Sequence, residues 1–308
     1  MNNRVIAAAA QSAKELGGRP SVKFIFAVIF LHQFISSLAY PVAKWGLNQI
    51  DPFVYAFLRF TICAGIYIVI LGLRRNNVKI PARDRLRIFV VGILLIPMNQ
   101  LIFLVGQSMT TAGHGALLFA TTPLFIFVLA VIFLGEKISI RKVTGIIIAL
   151  IGVYIVMAGG KIRFGTEHLY GDLLLVISVL SWATGTIVGI PLARQYGALR
   201  ATGLALVYGA MVYFPFGLYR AWNAELGHLP WQVWISVLYM AVMISILAYF
   251  LWYWVLKYME ASRVAIIQNI QPIIASAVAA MMLSEPITQS LIIGGIVVIG
   301  GVLMTEIK

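Results

Sequence analysis

The sequence predicts an all-α polytopic membrane protein with ten transmembrane helices, built as two five-helix repeats of opposite orientation. Three observations lead there: an apolar composition, ten apolar runs of membrane-spanning length, and a second half that echoes the first at a fixed offset. Of 308 residues, 61% are hydrophobic and 11% charged, with a mean hydropathy of +0.96. A soluble domain carries roughly 25% charged residues and needs them to cover its surface. Lipid as solvent removes that need, and the chain is best counted in spans of about 20 residues.

The chain begins with residues 1–21, expected to be a short cytoplasmic segment rather than a signal peptide. Its apolar stretch is interrupted by Gln11 and Ser12, and Lys14, Glu15 and Arg19 follow. Spans are expected near 22–43, 52–73, 86–108, 113–135 and 142–159 in a first half covering 22–159. A linker at 160–169 follows. The second half, 170–308, holds spans near 170–193, 198–219, 232–256, 262–283 and 289–306. Short loops with Gly, Pro or charge separate them.

The formal charge of +13 reflects 23 Lys and Arg against 10 Asp and Glu. The basic residues sit in short loops, which points to a membrane protein holding Lys and Arg on its cytoplasmic side rather than to nucleic-acid binding. With the N-terminus inside, eighteen of the 23 fall on the cytoplasmic side, four on the other, and Arg59 within a span. That bias places both termini in the cytoplasm and requires an even number of spans. Cys63 is the one cysteine, so no intramolecular disulfide forms, and one Cys with four scattered His builds no metal site. No cofactor is expected.

The repeat is the most informative feature. Leu134-Gly135-Glu136-Lys137-Ile138-Ser139 matches Leu283-Ser284-Glu285-Pro286-Ile287-Thr288 at an offset of 149. The same offset pairs Pro123 with Pro272, Gly145 with Gly294, and Gly152 with Gly301. A weaker match aligns Ser36 and Tyr40 with Ser178 and Trp182 at an offset of 142. A unit of five spans is odd, so its second copy lies upside down. The charges agree: the Glu136 loop carries Lys137, Arg141 and Lys142, the Glu285 loop no Lys or Arg. Inverted repeats of this kind mark many secondary transporters.

These motifs resemble the drug/metabolite transporter superfamily, and within it the EamA-type ten-helix exporters. The carrying residues are the paired Leu-x-Glu-x-Ile-[Ser/Thr] motifs, the prolines before them, the glycines after them, and Asp51-Pro52-x6-Arg59. Tyr40 and Trp182 sit where this family often has Trp. Length and an aromatic-rich eighth span (Tyr249, Trp252, Tyr253, Trp254) most resemble the YddG-type aromatic amino acid exporters. The resemblance implies export of such compounds across a bacterial inner membrane, with the bilayer and a small molecule as partners and a monomer or homodimer as the unit.

Polar groups inside a membrane are costly and tend to face a cavity or the bundle interior. That criterion selects Asn99, Gln100, Gln268 and Gln271 as substrate contacts, with Phe103, Tyr249 and Trp252 as ring partners and Tyr40 and Trp182 beside them. Interhelical hydrogen bonding is the alternative use of the amides. His32 either relays protons or is a hydrogen-bonded structural histidine. Arg59 either attracts a carboxylate or pairs with Asp51 or helix-end carbonyls. Glu136 and Glu285 are expected to cap the next helix or pair with a neighbour. Pro123 and Pro272 are expected in mid-helix, as hinges or static kinks. The fifth and tenth spans are assigned to scaffold or dimer contacts. A proton-coupled drug exporter and an integral membrane enzyme are the alternatives. The spans hold almost no acids to support enzymatic chemistry.

The topology is tested by cysteine accessibility in a Cys63→Ser background. Cysteines introduced at 137–141 and at the C-terminus are expected to be protected from a membrane-impermeant reagent applied outside intact cells. Labelling at either place removes this orientation.

Overall fold

The computed structural model describes residues 20–74, 79–110, 115, 118–158, 169–271, 273–274 and 289–306. Pro272, Glu285, the 160–168 stretch of the linker and residues 1–19 of the N-terminal segment lie outside these. Among the described residues there are helices and no strands, and helix occurs in each of the ten intervals expected to span. We label the spans α1 Val22–Leu47, α2 Pro52–Leu73 and α3 Ala82–Met109. Next come α4 Thr122–Leu134 and α5 Ile140–Ala158. The second half holds α6 Leu169–Tyr196, α7 Ala198–Trp222 and α8 Trp231–Val255. It ends with α9 Ala261–Ile267 and α10 Gln289–Glu306. α1, α2, α3, α6, α7 and α8 are each long and apolar enough to cross a bilayer. The outward faces carry Phe30, Phe34, Ile132, Phe133, Tyr154 and Ile296, as a lipid-facing surface should.

The helix ends show why the chain breaks where it does. Asp51 caps α2, its carboxylate accepting from the N–H groups of Phe53 (2.9 Å) and Val54 (3.2 Å), with Pro52 in the first turn. α4 ends at Gly135, whose φ of +68° supplies the left-handed turn that closes a helix. Pro123 does not interrupt a helix in its middle. It lies in the first turn of α4, after a break at Ala120 and Thr121. A first-turn proline sacrifices no intrahelical hydrogen bond, so any motion at this point belongs to the break and not to a kink.

Two other spans are interrupted near their middles. In α3, residues Ile96–Leu101 form a π-helical turn, and in α8 residues Tyr239–Ala248 do the same. Pro97 lacks the N–H that a regular turn would use. In α8 the Ser245 hydroxyl donates to the Met240 carbonyl five residues back, at 3.0 Å, taking an acceptor from the ladder. At the 149 offset, 96–101 corresponds to 245–250, so the two irregular turns overlap in the repeat.

The repeat symmetry is visible in the packing of α5 on α10. A Cβ on Gly152 would come within 2.6 Å of Val298 N and 2.8 Å of Gly294 O. A Cβ on Gly301 would come within 2.6 Å of Ala149 N and 2.8 Å of Gly145 O. Each contact is the image of the other under the 149 offset. Numbers rising on one helix meet numbers falling on the other, so α5 and α10 run antiparallel, as inverted copies must. Their glycines serve a contact within one chain, where missing side chains let backbones touch.

Gly152→Ala and Gly301→Ala should each lower stability, by about 1–3 kcal/mol, because the added methyl strikes backbone rather than a movable side chain. Gly300→Ala, which meets nothing within 4 Å, should be neutral or slightly stabilising. Thermal unfolding in detergent checks this. Equal behaviour of all three variants would remove the packing argument.

Candidate functional site

The site is built where the halves meet, around the two irregular turns. Asn99 and Gln100 occupy the π-helical turn of α3. The Asn99 amide donates to the Ser178 carbonyl and hydroxyl oxygens, both at 2.9 Å, and the Ser178 hydroxyl donates to the Asn99 carbonyl at 2.9 Å. This clamps α3 to α6 across the repeat. Asn99 Oδ1 in turn accepts from Gln100 Nε2 at 2.6 Å and from the Tyr249 hydroxyl at 3.4 Å. Asn99 thus stands one layer behind the wall, while Gln100 and Tyr249 form it.

A second polar chain joins α1 to the turn that follows α9. Gln271 Nε2 donates to Gln33 Oε1 at 2.7 Å, and the Tyr40 hydroxyl donates to Gln271 Oε1 at 3.3 Å. Sequence reasoning passed over Gln33, which is wholly buried. The criterion that selected Gln100 would have found it, since it is an amide in mid-span beside His32. Asn269, also wholly buried and with neither amide atom hydrogen-bonded, was missed in the same way.

Between these chains lies a cavity of about 80 Å³. Of the residues selected from sequence, Tyr40, Gln100, Phe103, Trp182, Tyr249, Gln268 and Gln271 line it, together with His32. Phe119 completes an aromatic corner, with Tyr40 at 6.2 Å and Phe103 at 5.2 Å between ring centres. Facing it, Trp182 packs edge-on to Tyr249 at 5.1 Å. Tyr40 on Phe103 (6.2 Å) and Trp182 on Trp252 (5.7 Å) are equivalent pairs, one from each repeat.

Trp252 and Arg59 do not reach the cavity surface. Trp252 donates to the Thr186 hydroxyl at 3.2 Å and stacks on His32 at 5.4 Å, supporting the wall from behind. His32 is buried, and its nearest polar partner is Ser36 at a long 3.5 Å. Of the alternatives open to Arg59, a pairing with Asp51 does not form. Asp51 is engaged by Arg220 at 2.6 Å while capping α2, two turns away from Arg59. Arg59 instead donates through Nε to Ser245 at 3.0 Å.

At about 80 Å³ the cavity is smaller than the 300–1,000 Å³ or so of typical small-molecule sites, so the walls must part to admit cargo. A roomier cavity of about 360 Å³ lies between α3, α4 and α6. Its walls are mostly apolar, with Arg87 and Thr184 the exceptions, and Phe133 and Pro191 on its rim are exposed. It lacks convergent polar groups and reads as a lipid-facing groove.

One end of the bundle is pinned by Glu136. It does not cap the next helix. It accepts from the backbone N–H of Ala261 at 2.8 Å and from the Ser262 hydroxyl, at the start of α9 in the other repeat. A carboxylate there satisfies orphan donors and faces the positive end of the helix dipole. Lys142 bridges Glu136 at 3.3 Å and Glu260 at 2.9 Å. Since Gln268 and Gln271 follow directly on α9, in and just after the 3-10 turn Gln268–Ile270, this clamp bears on their position. At the other end Lys44 donates to the carbonyls of Gln107 (3.1 Å) and Thr110 (2.8 Å), holding α1 to the end of α3.

The family profile described as "EamA-like transporter family" matches residues 23–158 and again 169–307. An uncharacterized transporter of Archaeoglobus fulgidus is 27% identical over 266 residues, covering 85% of this chain and 92% of that protein. The uncharacterized transporter YetK of Bacillus subtilis is 28% identical over 270 residues, 87% of this chain and 82% of that one. The uncharacterized inner membrane transporter YedA of Escherichia coli K12 is 28% identical over 195 residues, 61% of this chain and 62% of its own. A solved crystal structure shares the fold at a TM-score of 0.74, covering 92% of this chain and 97% of the other at 16% identity.

The Glu136 clamp makes an energetic statement. In a double-mutant cycle, Glu136→Gln and Ser262→Ala should be non-additive by about 1 kcal/mol or more in thermal unfolding, as contacting buried groups are. Additive losses would mean that the contact carries no weight.

Proposed function

The chain belongs to the EamA-like transporter family, and from that premise we propose that it exports amino acids, aromatic or otherwise apolar, and related small metabolites by alternating access. The protein is a multi-pass membrane transporter and not an enzyme. The proposed setting is a bacterial inner membrane with both termini cytoplasmic, which puts the Glu136 clamp on the cytoplasmic side.

The observation that carries the reading is the make-up of the central cavity. Amides of Gln100, Gln268 and Gln271 share one small volume with the rings of Tyr40, Phe103, Trp182 and Tyr249. Amides hydrogen-bond either charged end of a zwitterion without carrying charge themselves. Rings offer a face or an edge to an apolar or aromatic side chain. The break before Pro123, with the Glu136 clamp on α9, supplies a place where one half can move against the other. Pro272 is the repeat-related candidate for a second hinge.

We further propose that transport runs down the substrate gradient without obligatory proton exchange. Coupled antiport needs a titrating group that competes with cargo, usually a buried acid. None of the cavity-lining residues is acidic. His32 favours the second reading, proton-coupled export of a broader drug and metabolite range, because it does face the cavity.

Counterflow in proteoliposomes tests both. Aromatic amino acids should exchange in the wild type, and Tyr40→Ala, Gln100→Ala, Trp182→Ala, Tyr249→Ala, Gln268→Ala and Gln271→Ala should cut flux severalfold at unchanged expression. Normal flux in all six sinks the assignment. Accumulation driven by an imposed pH gradient and abolished by His32→Ala would replace uniport with the coupled reading.

A further inference from the structure

Arg59 lies two turns inside α2 and is wholly buried. Its Nε donates to Ser245 Oγ at 3.0 Å, and its guanidinium carbon sits 5.3 Å from the centre of the Phe60 ring. Both terminal nitrogens, Nη1 and Nη2, have no hydrogen-bond partner. No described acid is paired with it: Asp51 holds Arg220, Asp84 holds Arg87, and Glu136 and Glu260 share Lys142. Arginine does not deprotonate in proteins. The spans therefore enclose a permanent positive charge with two donor groups unmet, among the most costly arrangements a membrane protein can hold.

Its place relative to the cavity gives this charge a use. Ser245 belongs to the irregular turn of α8, whose Met240, Ile244 and Ala248 line the cavity, with Tyr249 following directly. The Ser245 hydroxyl passes the hydrogen bond from Arg59 on to the Met240 carbonyl at 3.0 Å. The guanidinium thus stands one side-chain layer behind the wall, bonded to the α8 turn that leads directly into Tyr249. The cavity wall carries amides, a histidine, hydroxyls, rings and aliphatic groups, and no carboxylate to cancel the charge. Coulomb interactions fall only as the inverse of distance and are poorly screened in an apolar medium, so a buried guanidinium one layer behind the wall favours a negative group in the cavity over a positive one.

We propose that Arg59 selects cargo bearing a carboxylate, acting on the central cavity through the α8 turn and Tyr249. The proposal rests on the transport reading above and adds to it which end of the molecule is recognised by charge. An anionic group is the shared chemistry, supplied either by the cargo or by a resident inorganic anion such as chloride. The cargo's own carboxylate is the source to which we commit.

The test uses purified full-length protein and four aromatic probes: L-phenylalanine, 3-phenylpropionate, L-phenylalaninamide and phenethylamine. Binding is read by tryptophan fluorescence and flux by proteoliposome uptake. The wild type should prefer the two acids over the amide and the amine by about tenfold or more, equivalent to about 1.4 kcal/mol. Arg59→Gln should bring that ratio close to one by weakening the acids alone, and Arg59→Lys should retain most of it. A variant that loses all four probes equally, with a normal unfolding temperature, assigns Arg59 a structural role and overturns the proposal. A wild type that binds acid and amide alike also overturns it, whether or not Arg59→Gln folds, and leaves the amino-acid reading standing. Absence of amino-acid flux with a retained preference for 3-phenylpropionate does the reverse. No binding of either acid overturns the proposal. Replacing chloride by gluconate separates the sources: a destabilised wild type with an unaffected Arg59→Gln identifies a resident anion and refutes the cargo carboxylate.

Discussion

Hydrocarbon offers no water to a backbone amide or a polar side chain, and this one constraint organises the protein. Every span is helical because only a helix satisfies its own backbone within one segment. Where the helix departs from regularity, in α3 and α8, protein groups take over the freed valences. Ser245 meets the Met240 carbonyl at 3.0 Å, and the Tyr67 hydroxyl reaches the Ile246 carbonyl at 3.2 Å. The irregular turns are thus tied into the bundle, and they lie beside the cavity, where such turns are often found at functional sites.

The same constraint bears on the polar groups that lie at the boundary between the repeats. Asn99 on Ser178, Gln271 on Gln33, Tyr55 on Ser236 and Glu136 on Ser262 all join one half to the other. A polar group buried within one half would hold that half rigid and contribute nothing to the interface. Placed between the halves, it sets their relative position through contacts that can be exchanged for others when the halves move. The α5–α10 contact is different in kind. Backbone against backbone through Gly152 and Gly301, it suits a fixed axis about which exchange elsewhere can occur.

The cavity combines neutral amides with aromatic rings. The small volume fits a state in which the walls have come together, with the Glu136 clamp engaged at one end and Lys44 and the Asp51–Arg220 pair at the other.

The fold was legible in the sequence because lipid leaves few choices. Apolar runs of span length must be helices, and the offset of 149 relating Glu136 to Glu285 and Gly152 to Gly301 declared two copies. Much of the cavity lining was legible too, since an amide or tyrosine in mid-span is costly enough to announce itself. Gln100 and Gln271 were selected on that ground, and Tyr40 by its stripe with His32 and Ser36 and its repeat match to Trp182. What only the tertiary structure decided is which polar groups face the cavity and which face each other. Asn99 and Gln100 are adjacent in sequence, and adjacent helical residues point different ways; the packing of α3 on α6 decides that Asn99 turns to Ser178 while Gln100 meets the cavity. Pro123 began a helix rather than bending one, since a proline's effect depends on whether a break precedes it. Glu136 found its partner 125 residues away at Ala261, and among the described residues Arg59 pairs with no carboxylate. Periodicity along one helix assigns a residue to a face; which neighbour that face meets is a property of the packed bundle.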